Sequence, residues 1–289
     1  MVRIVHASDF HFTGPHFQPE LWERFKEWIG RNRPHLLVVT GDVTDDGYPQ
    51  EYQVAKEYLD SLEVEYLVVP GNHDARNVGY EVFEEYFGPR WKVWRRDRVV
   101  ILGGDSSEPD LDDGHIGREN YPLMREIFQQ HAGDFTIFAL HHHLLPIPGT
   151  GRERNIPVDS GDVLKILTED QVDLVLSGHK HVPWAWRLEG TLFISAGTAT
   201  TGRIKGKMGP SFMHLGINEK GALLTLEKVE LAAPPFGSPP FPYPPSTQKG
   251  ETPQGCGQAR RKDPRIRDLR RKTYNQVIPG LSKSSSRME

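Results

Sequence analysis

Tyr66-Leu67-Val68-Val69-Pro70-Gly71-Asn72-His73-Asp74 runs from a short apolar strand through a glycine into three side chains that carry oxygen or nitrogen donors. The succession of apolar run and donor recurs along the first 181 residues, with the glycine kept at Gly41 and Gly178. Arg3 to His6 precedes Asp9-Phe10-His11, and Leu36 to Val39 precedes Gly41-Asp42. Phe135 to Leu140 precedes His141-His142-His143, and Val172 to Leu176 precedes Gly178-His179-Lys180-His181. A parallel α/β sheet binds its ligands beyond the carboxyl ends of its strands, so this repetition places the Asp, Asn and His side chains at one edge.

Working outward, strand-like runs at Arg3–His6, Leu36–Thr40, Tyr66–Pro70, Val99–Gly103, Phe135–Leu140 and Leu174–Ser177 are separated by segments with helical spacing of apolar residues. Leu21, Trp22, Phe25 and Ile29 mark one helix face; Tyr52, Ala55, Tyr58, Leu59 and Leu62 mark another. Alternating β and α implies a parallel sheet. After His181 the strands come closer together, at Trp184–Leu188, Leu192–Ala196, Ser211–Ile217 and Ala222–Val229, joined by turns such as Glu189-Gly190 and Lys220-Gly221. That half reads as antiparallel. The expected architecture is an α/β fold, a four-layer α/β/β/α sandwich in which a mixed second sheet packs on the first.

Residues 1–231 are read as one folded domain that carries the donor segments. Beyond Leu231 seven prolines lie between Pro234 and Pro245, followed by Gly, Ser, Gln and basic residues, and 232–289 is expected to be disordered. This tail holds eleven Lys/Arg against four Asp/Glu, a charge of +7, so the whole-chain value of −4 leaves −11 on the rest. Its basic cluster, Arg260-Arg261-Lys262 through Arg270-Arg271-Lys272, suits contact with nucleic acid, anionic lipid or an acidic partner. The apolar runs are strand-length, which predicts no membrane span. With the first strand starting at Arg3 there is no room for a removable leader, and the expected location is cytoplasmic. The single Cys256 forms no internal disulfide, in keeping with that address.

No cysteine joins the donor set, and carboxylate, imidazole and amide donors favour manganese, iron, zinc or cobalt over a thiolate site. A closed structural zinc takes only four ligands. With Asp45, Asp46, His73, Asp74, His142 and His143 set aside, seven candidates remain: Asp9, His11, Asp42, Asn72, His141, His179 and His181. Seven suit two ions that share a bridging carboxylate, about 3.5–4 Å apart. Asp9 and His11 are spaced i, i+2, as are His179 and His181, so on an extended backbone each pair emerges on one side. Gly41 and Gly71 let the chain turn and present the next side chain inward. Asp45 and Asp46 are expected to cap the following helix or solvate the turn. His142 and His143 are expected to pack or meet solvent.

In this order the segments resemble the signature of the calcineurin-like metallophosphoesterases: Asp-x-His, Gly-Asp, Gly-Asn-His-(Asp/Glu), a His, and Gly-His-x-His. Here these are Asp9-Phe10-His11, Gly41-Asp42, Gly71-Asn72-His73-Asp74, His141 and Gly178-His179-Lys180-His181. The resemblance covers about residues 2 to 230. Through Gly41-Asp42-Val43-Thr44-Asp45-Asp46-Gly47 it is nearest the class III cyclic nucleotide phosphodiesterase branch. It implies one ion held by Asp9, His11, Asp42 and His181, and a second held by Asp42, Asn72, His141 and His179. It also implies that His73 faces the phosphate and stabilises or protonates the leaving oxygen, oriented by Asp74. The implied reaction is attack on phosphorus by a hydroxide bridging the two cations, on 3′,5′-cyclic nucleotides or similar small diesters.

The family's usual His-His-Pro-Pro stands here as His141-His142-His143-Leu144, so the loop that shapes the pocket departs from the pattern. Residues 148–155 are expected to form a lid that brings Arg152 or Arg154 to the phosphate, a task that suits the guanidinium fork. Residues 197–203, with Lys205 and Lys207, are placed to border the pocket. The same metal centre serves phosphomonoesterases and nucleases, and these are the alternative activities. A non-catalytic metal-binding scaffold is a third reading; such a protein is expected to have lost ligands, and this chain retains them all.

Overall fold

The computed structural model describes residues 1–151, 155–203 and 208–231. The proposed roles of Arg152, Arg154, Lys205 and Lys207, and the expectations for the 232–289 tail, lie outside the described residues. Chain order runs β1 (Val2–Ala7), α1 (Pro19–Asn32), β2 (Leu36–Thr40), α2 (Pro49–Asp60), β3 (Tyr66–Val69), α3 (Gly79–Phe87), β4 (Lys92–Arg96) and β5 (Val99–Gly103). It continues through α4 (Tyr121–Gln130), β6 (Phe135–Ala139), α5 (Ser160–Glu169), β7 (Leu174–Ser177), β8 (Trp184–Leu188), β9 (Thr191–Ser195), β10 (Ser211–Ile217) and β11 (Leu223–Glu230). No helix among the described residues is long and apolar enough to cross a membrane.

The strands form two sheets, ordered β11-β10-β1-β2-β3 and β4-β5-β6-β7-β9-β8. Period-two alternation sorts their side chains into separate cores. Val2 and Ile4 of β1, Leu36 and Val38 of β2, Val99 and Ile101 of β5, and Leu174 and Leu176 of β7 share one buried cluster between the sheets. Their neighbours point the other way. Val5, Ala7, Leu37 and Val39 pack against Leu21, Trp22, Phe25 and Ile29 of α1 and Tyr52, Ala55 and Leu59 of α2. Leu102, Phe138 and Val175 pack against Met124 and Phe128 of α4 and Val163, Ile166 and Leu167 of α5. Three apolar layers between four layers of elements are the expected sandwich. They also explain why the central strands read as unbroken apolar runs, since both faces are buried.

The division between sheets differs from the sequence expectation. The six early strands do not share one parallel sheet, and the late strands do not make the other. Instead β1, β2 and β3 are parallel neighbours, while β5, β6 and β7 run parallel in the opposite layer. The late strands split between them: β10 pairs antiparallel with β1, Val2 opposite Ile217, and β9 pairs parallel with β7, Leu174 opposite Leu192. Both sheets are therefore mixed. The edge strand β4, half-exposed and carrying Lys92, Arg95 and Arg96, has no apolar run to announce it. It is recruited by antiparallel pairing with β5.

Candidate metal centre

The donor-bearing loops follow β1, β2, β3, β6 and β7, and they meet at one end of the sandwich. Asp9 N–H donates to the Gly41 carbonyl at 3.0 Å, His11 N–H to Asp42 at 2.9 Å and Phe12 N–H to Val43 at 3.1 Å, which zips the first two loops together. From the late segment, Thr198 Oγ1 donates to the Asp9 carbonyl at 2.8 Å and Thr200 Oγ1 to Phe10 at 2.7 Å. The i, i+2 pairs do not work through an extended backbone. Asp9, His11, Asp42, His179 and His181 have φ of 56°, 45°, 55°, 72° and 56°, all left-handed. Such conformations cost on the order of 1–3 kcal/mol each outside glycine, and they persist where the surroundings over-determine them. Five among these seven candidate donors make this the strained end of the fold.

Glycine matters most at Gly71. A Cβ there would run into the Asp42 carboxylate and sit 2.5 Å from the Asp42 backbone nitrogen, so the close crossing of the two loops excludes a side chain. Gly71→Ala is expected to fold less stably by about 1–3 kcal/mol and to lose metal affinity, because the loop that carries Asp42 has to move. Thermal unfolding and metal titration of the variant check both, and unchanged affinity would contradict the reading of this crossing.

The donor atoms are buried and close. His141 Nε2 lies 3.0 Å from Asn72 Oδ1, 3.2 Å from His179 Nδ1 and 3.4 Å from Asp42 Oδ2, and His179 Nδ1 lies 3.0 Å from Asn72 Oδ1. On the other side His181 Nε2 is 3.2 Å from Asp9 Oδ1, and His11 Nε2 is 3.7 Å from Asp42 Oδ2. Asp9 Oδ1 and His11 Nε2 are buried without a hydrogen-bond partner, so the 3.2 Å approach to Asp9 lacks hydrogen-bond alignment. Three groups of side chains, Asp9/His11/His181, His11/Asp42/His73 and Asp9/Asp42/His141, each bring their ligand atoms within 4.8 Å of one another.

Ring orientation follows from the groups behind the histidines. His141 Nδ1 faces the Thr40 carbonyl at 2.7 Å and His181 Nδ1 the Arg203 carbonyl at 2.8 Å. A carbonyl only accepts, so each Nδ1 carries the proton. In its neutral form each ring then has the lone pair of Nε2 free for a cation, the arrangement by which outer hydrogen bonds fix a metal-ligating histidine. His11 Nδ1 is likewise held outward, by Asp45 Oδ1 at 3.1 Å. Around His141, then, its Nε2, His179 Nδ1 and the Asn72 amide oxygen stand within 3.2 Å of one another, and a proton on one of the ring nitrogens or a cation bound among them keeps them from repelling.

Without an ion a proton takes that place. Burial works against charge on His141, but the Asp42 carboxylate beside it and then Asp9 raise its pKa to about 9. Burial also disfavours the Asp42 carboxylate, yet His141, His73 and His11 hold it well below the usual carboxylate range. His179 is pushed well below the ordinary histidine value by burial and by neighbouring His142 and His141, so the two facing rings are not both charged. The donor set fits divalent ions because binding can replace these protons.

The flanking residues correct two expectations. Asp74 does not touch the His73 ring: its carboxylate accepts from Thr44 N, Thr44 Oγ1 and Gly71 N at 2.8–2.9 Å, bracing the two loops. Its burial, with the charge of Asp42, raises its pKa. The partner of His73 is the Asp45 carbonyl, 2.7 Å from Nδ1. Asp45 is accordingly no helix cap; Glu51 serves that turn, accepting from Asp46 N and Tyr48 N at 2.9 and 3.1 Å. His142 is fully buried, bonded to Ser106 Oγ at 2.9 Å and the Asp112 carbonyl at 3.2 Å, and its ring lies 4.7 Å from that of His179. His143 is buried as well, stacked 5.8 Å from His179.

A cleft opens over the centre, lined by Asp42, Asn72, His73, Arg76, Asp112, Asn155, His179, His181 and Arg203. Arg203 is there as the sequence position allowed. Arg76 and Asp112 were missed. Arg76 stands two residues beyond the Asn-His-Asp segment, a usable signal, whereas nothing in the sequence around Asp112 distinguishes it from a solvated loop.

Two mixed sheets back to back, with buried Asp, Asn and His donors gathered at the strand ends, define the class of metal-dependent phosphoesterases. The calcineurin-like phosphoesterase family model matches residues 2–183, and the chain belongs to that family. Over 147 residues it is 29% identical to a 3′,5′-cyclic-nucleotide phosphodiesterase of Nostoc sp., covering 50% of this chain and 55% of that one. Over 163 residues it is 49% identical to a probable glycerophosphodiester phosphodiesterase of Arcobacter nitrofigilis, covering 52% and 57%. The chain thus spans little more than half the length of these two relatives. A purple acid phosphatase from yellow lupin shares the fold, with a TM-score of 0.61 at 17% identity over 80% of this chain and 51% of that one.

Proposed function

We propose that this protein is a dinuclear metal phosphodiesterase acting on small diesters, with 3′,5′-cyclic nucleotides first among them. One observation carries the reading: oxygen and imidazole lone pairs converge on two adjoining points, around Asp9/His11/His181 and around Asn72/His141/His179, with Asp42 beside both. One ion is assigned to Asp9, His11, Asp42 and His181, the other to Asp42, Asn72, His141 and His179. When bound, such a pair supplies positive charge for the phosphoryl oxygens and acidifies water enough to furnish a nucleophile near neutral pH.

The protein's own groups do the rest. His73 lines the cleft with its Nδ1 proton given to the Asp45 carbonyl, so donation to the leaving oxygen falls to Nε2 of the imidazolium form. Arg76 and Arg203 line the same cleft, and the guanidinium fork matches phosphate oxygens. Arg152 and Arg154, outside the described residues, are assigned the same role because they shortly precede Asn155 in the sequence, and Asn155 lines the cleft. The Arcobacter relative favours glycerophosphodiesters as the second substrate reading.

The test is a panel. Chelated protein is reloaded with manganese, iron, zinc or cobalt and assayed on cyclic AMP, a glycerophosphodiester, a chromogenic diester, the matching monoester and a polynucleotide. Metal-dependent turnover of the diesters, with monoester and polynucleotide slower, is expected. Preference for the monoester or the polynucleotide would reassign the site to those alternatives, and two bound ions with no turnover would favour a scaffold.

A further inference from the structure

Asn72 is the one amide among the seven proposed ligands, and an amide offers two ends of opposite character. Only the oxygen is a useful donor to a cation; the NH2 end repels one. Asn72 Nδ2 lies 2.9 Å from Asp112 Oδ1, while Asn72 Oδ1 faces His141 and His179. A carboxylate only accepts, so the Asp112 contact forces the NH2 outward and the oxygen inward.

Asp112 is itself held. The same Oδ1 accepts from Arg76 Nη2 at 3.1 Å, and Arg76 Nη1 donates to the Asp45 carbonyl at 3.2 Å. The Asp112 carbonyl accepts from His142 Nε2 at 3.2 Å and Asn155 Nδ2 at 3.1 Å. His142 in turn bonds Ser106, and the Asn155 amide oxygen accepts from Lys180 Nζ at 3.0 Å. The loop holding Asp112 is therefore tied through its backbone to the strand end that carries His141 and to the segment between His179 and His181. The Asp112 side chain is 63% exposed, yet its Oδ1 takes both the Asn72 and the Arg76 bonds while its backbone carbonyl takes those of His142 and Asn155.

We propose that Asp112 is a positioning residue that selects the amide orientation of Asn72 and so completes the Asn72/His141/His179 site for its ion. The proposal rests on the dinuclear reading above. Asp112 is bonded to the outer nitrogen of Asn72 and to none of the three donor atoms; it acts through Asn72, and it shares its oxygen with Arg76, which it thereby places at the cleft wall. This gives the buried His142 a use as well, since His142 anchors the carbonyl of the same residue.

Metal titration of the chelated full chain by calorimetry, with manganese as the probe, tests this without relying on turnover. Wild type is expected to bind two ions per chain. Asp112→Ala is expected to keep one ion at wild-type affinity and to bind the other about 10–100-fold more weakly, the usual consequence of losing an outer-shell partner. Asp112→Asn retains a side-chain oxygen that can accept from Asn72 Nδ2, and it is expected to stay within about 3-fold of wild type, since the proposal assigns Asp112 an orienting hydrogen bond and not a long-range charge. A thermal melt of metal-free Asp112→Ala unchanged from wild type separates the effect from misfolding. Two ions bound by Asp112→Ala as tightly as by wild type would overturn the proposal, as would an Asp112→Asn variant as weak as the alanine, which would assign the effect to charge. A wild type that binds no metal would instead sink the dinuclear reading itself.

Discussion

Asp42→Asn is expected to lower diester turnover on the order of 10³-fold, the upper end of what losing one preorganised electrostatic group costs, and to reduce bound metal from two ions to at most one. The reason is position. Asp42 Oδ2 lies 3.4 Å from His141 Nε2 and 3.7 Å from His11 Nε2, so one carboxylate faces both proposed sites, while its Oδ1 accepts from His73 N at 2.9 Å. Asparagine preserves the shape and one oxygen but not the charge. In metal-free protein the same substitution leaves burial of His141 less opposed, so its pKa should drop below the value of about 9 seen beside the carboxylate. Elemental analysis, kinetics and an NMR titration of the histidines read the three effects. Full metal content with near-normal turnover would remove Asp42 from the centre.

The second large effect is expected at His73. His73→Ala should lower kcat by about 10²–10⁴-fold, the range for loss of a general acid, with two ions still bound. The competing geometry is that His73 is a ligand, because its ring lies 4.6 Å from that of His11 and its donor atom falls within 4.8 Å of those of His11 and Asp42. Metal content decides between them. Leaving-group dependence supplies a further check: an activated aryl diester departs without a proton and should lose far less rate than a cyclic nucleotide, whose alkoxide needs one. Equal losses on both substrates would point away from proton donation.

Much of the candidate site was legible because local chain chemistry repeats. A strand that ends in a donor can be read one segment at a time: Asp9 and His141 follow their apolar runs without a glycine, and Asp42, Asn72 and His179 follow theirs through one. Asp45 was misread for the opposite reason: next to Asp42 and ahead of a helix it looks like a cap, and only the distance to His11, 34 residues earlier, shows what it holds. Asp74 was misread because adjacency to His73 suggested contact, while the sharp turn sends its carboxylate back to Thr44 and Gly71. His142 and Ser106 form a pair across 36 residues, beyond the reach of spacing rules.

Periodicity, glycine placement and the order of Asp, Asn and His were enough to determine the four layers, the buried character of the strands and which Asp, Asn and His side chains gather at the strand ends, because these depend on interactions within a few residues. Which strands share a sheet was a tertiary decision. β10 and β9 are alike in apolar content, and their choice of β1 and β7 as partners is made by the packing of the inter-sheet core, where Met213, Leu215 and Ile217 meet Val2 and Ile4. The left-handed backbone at five donor residues was decided there as well. It costs energy locally, so no local preference announces it, and it exists because loops from five strand ends brace one another around a shared point.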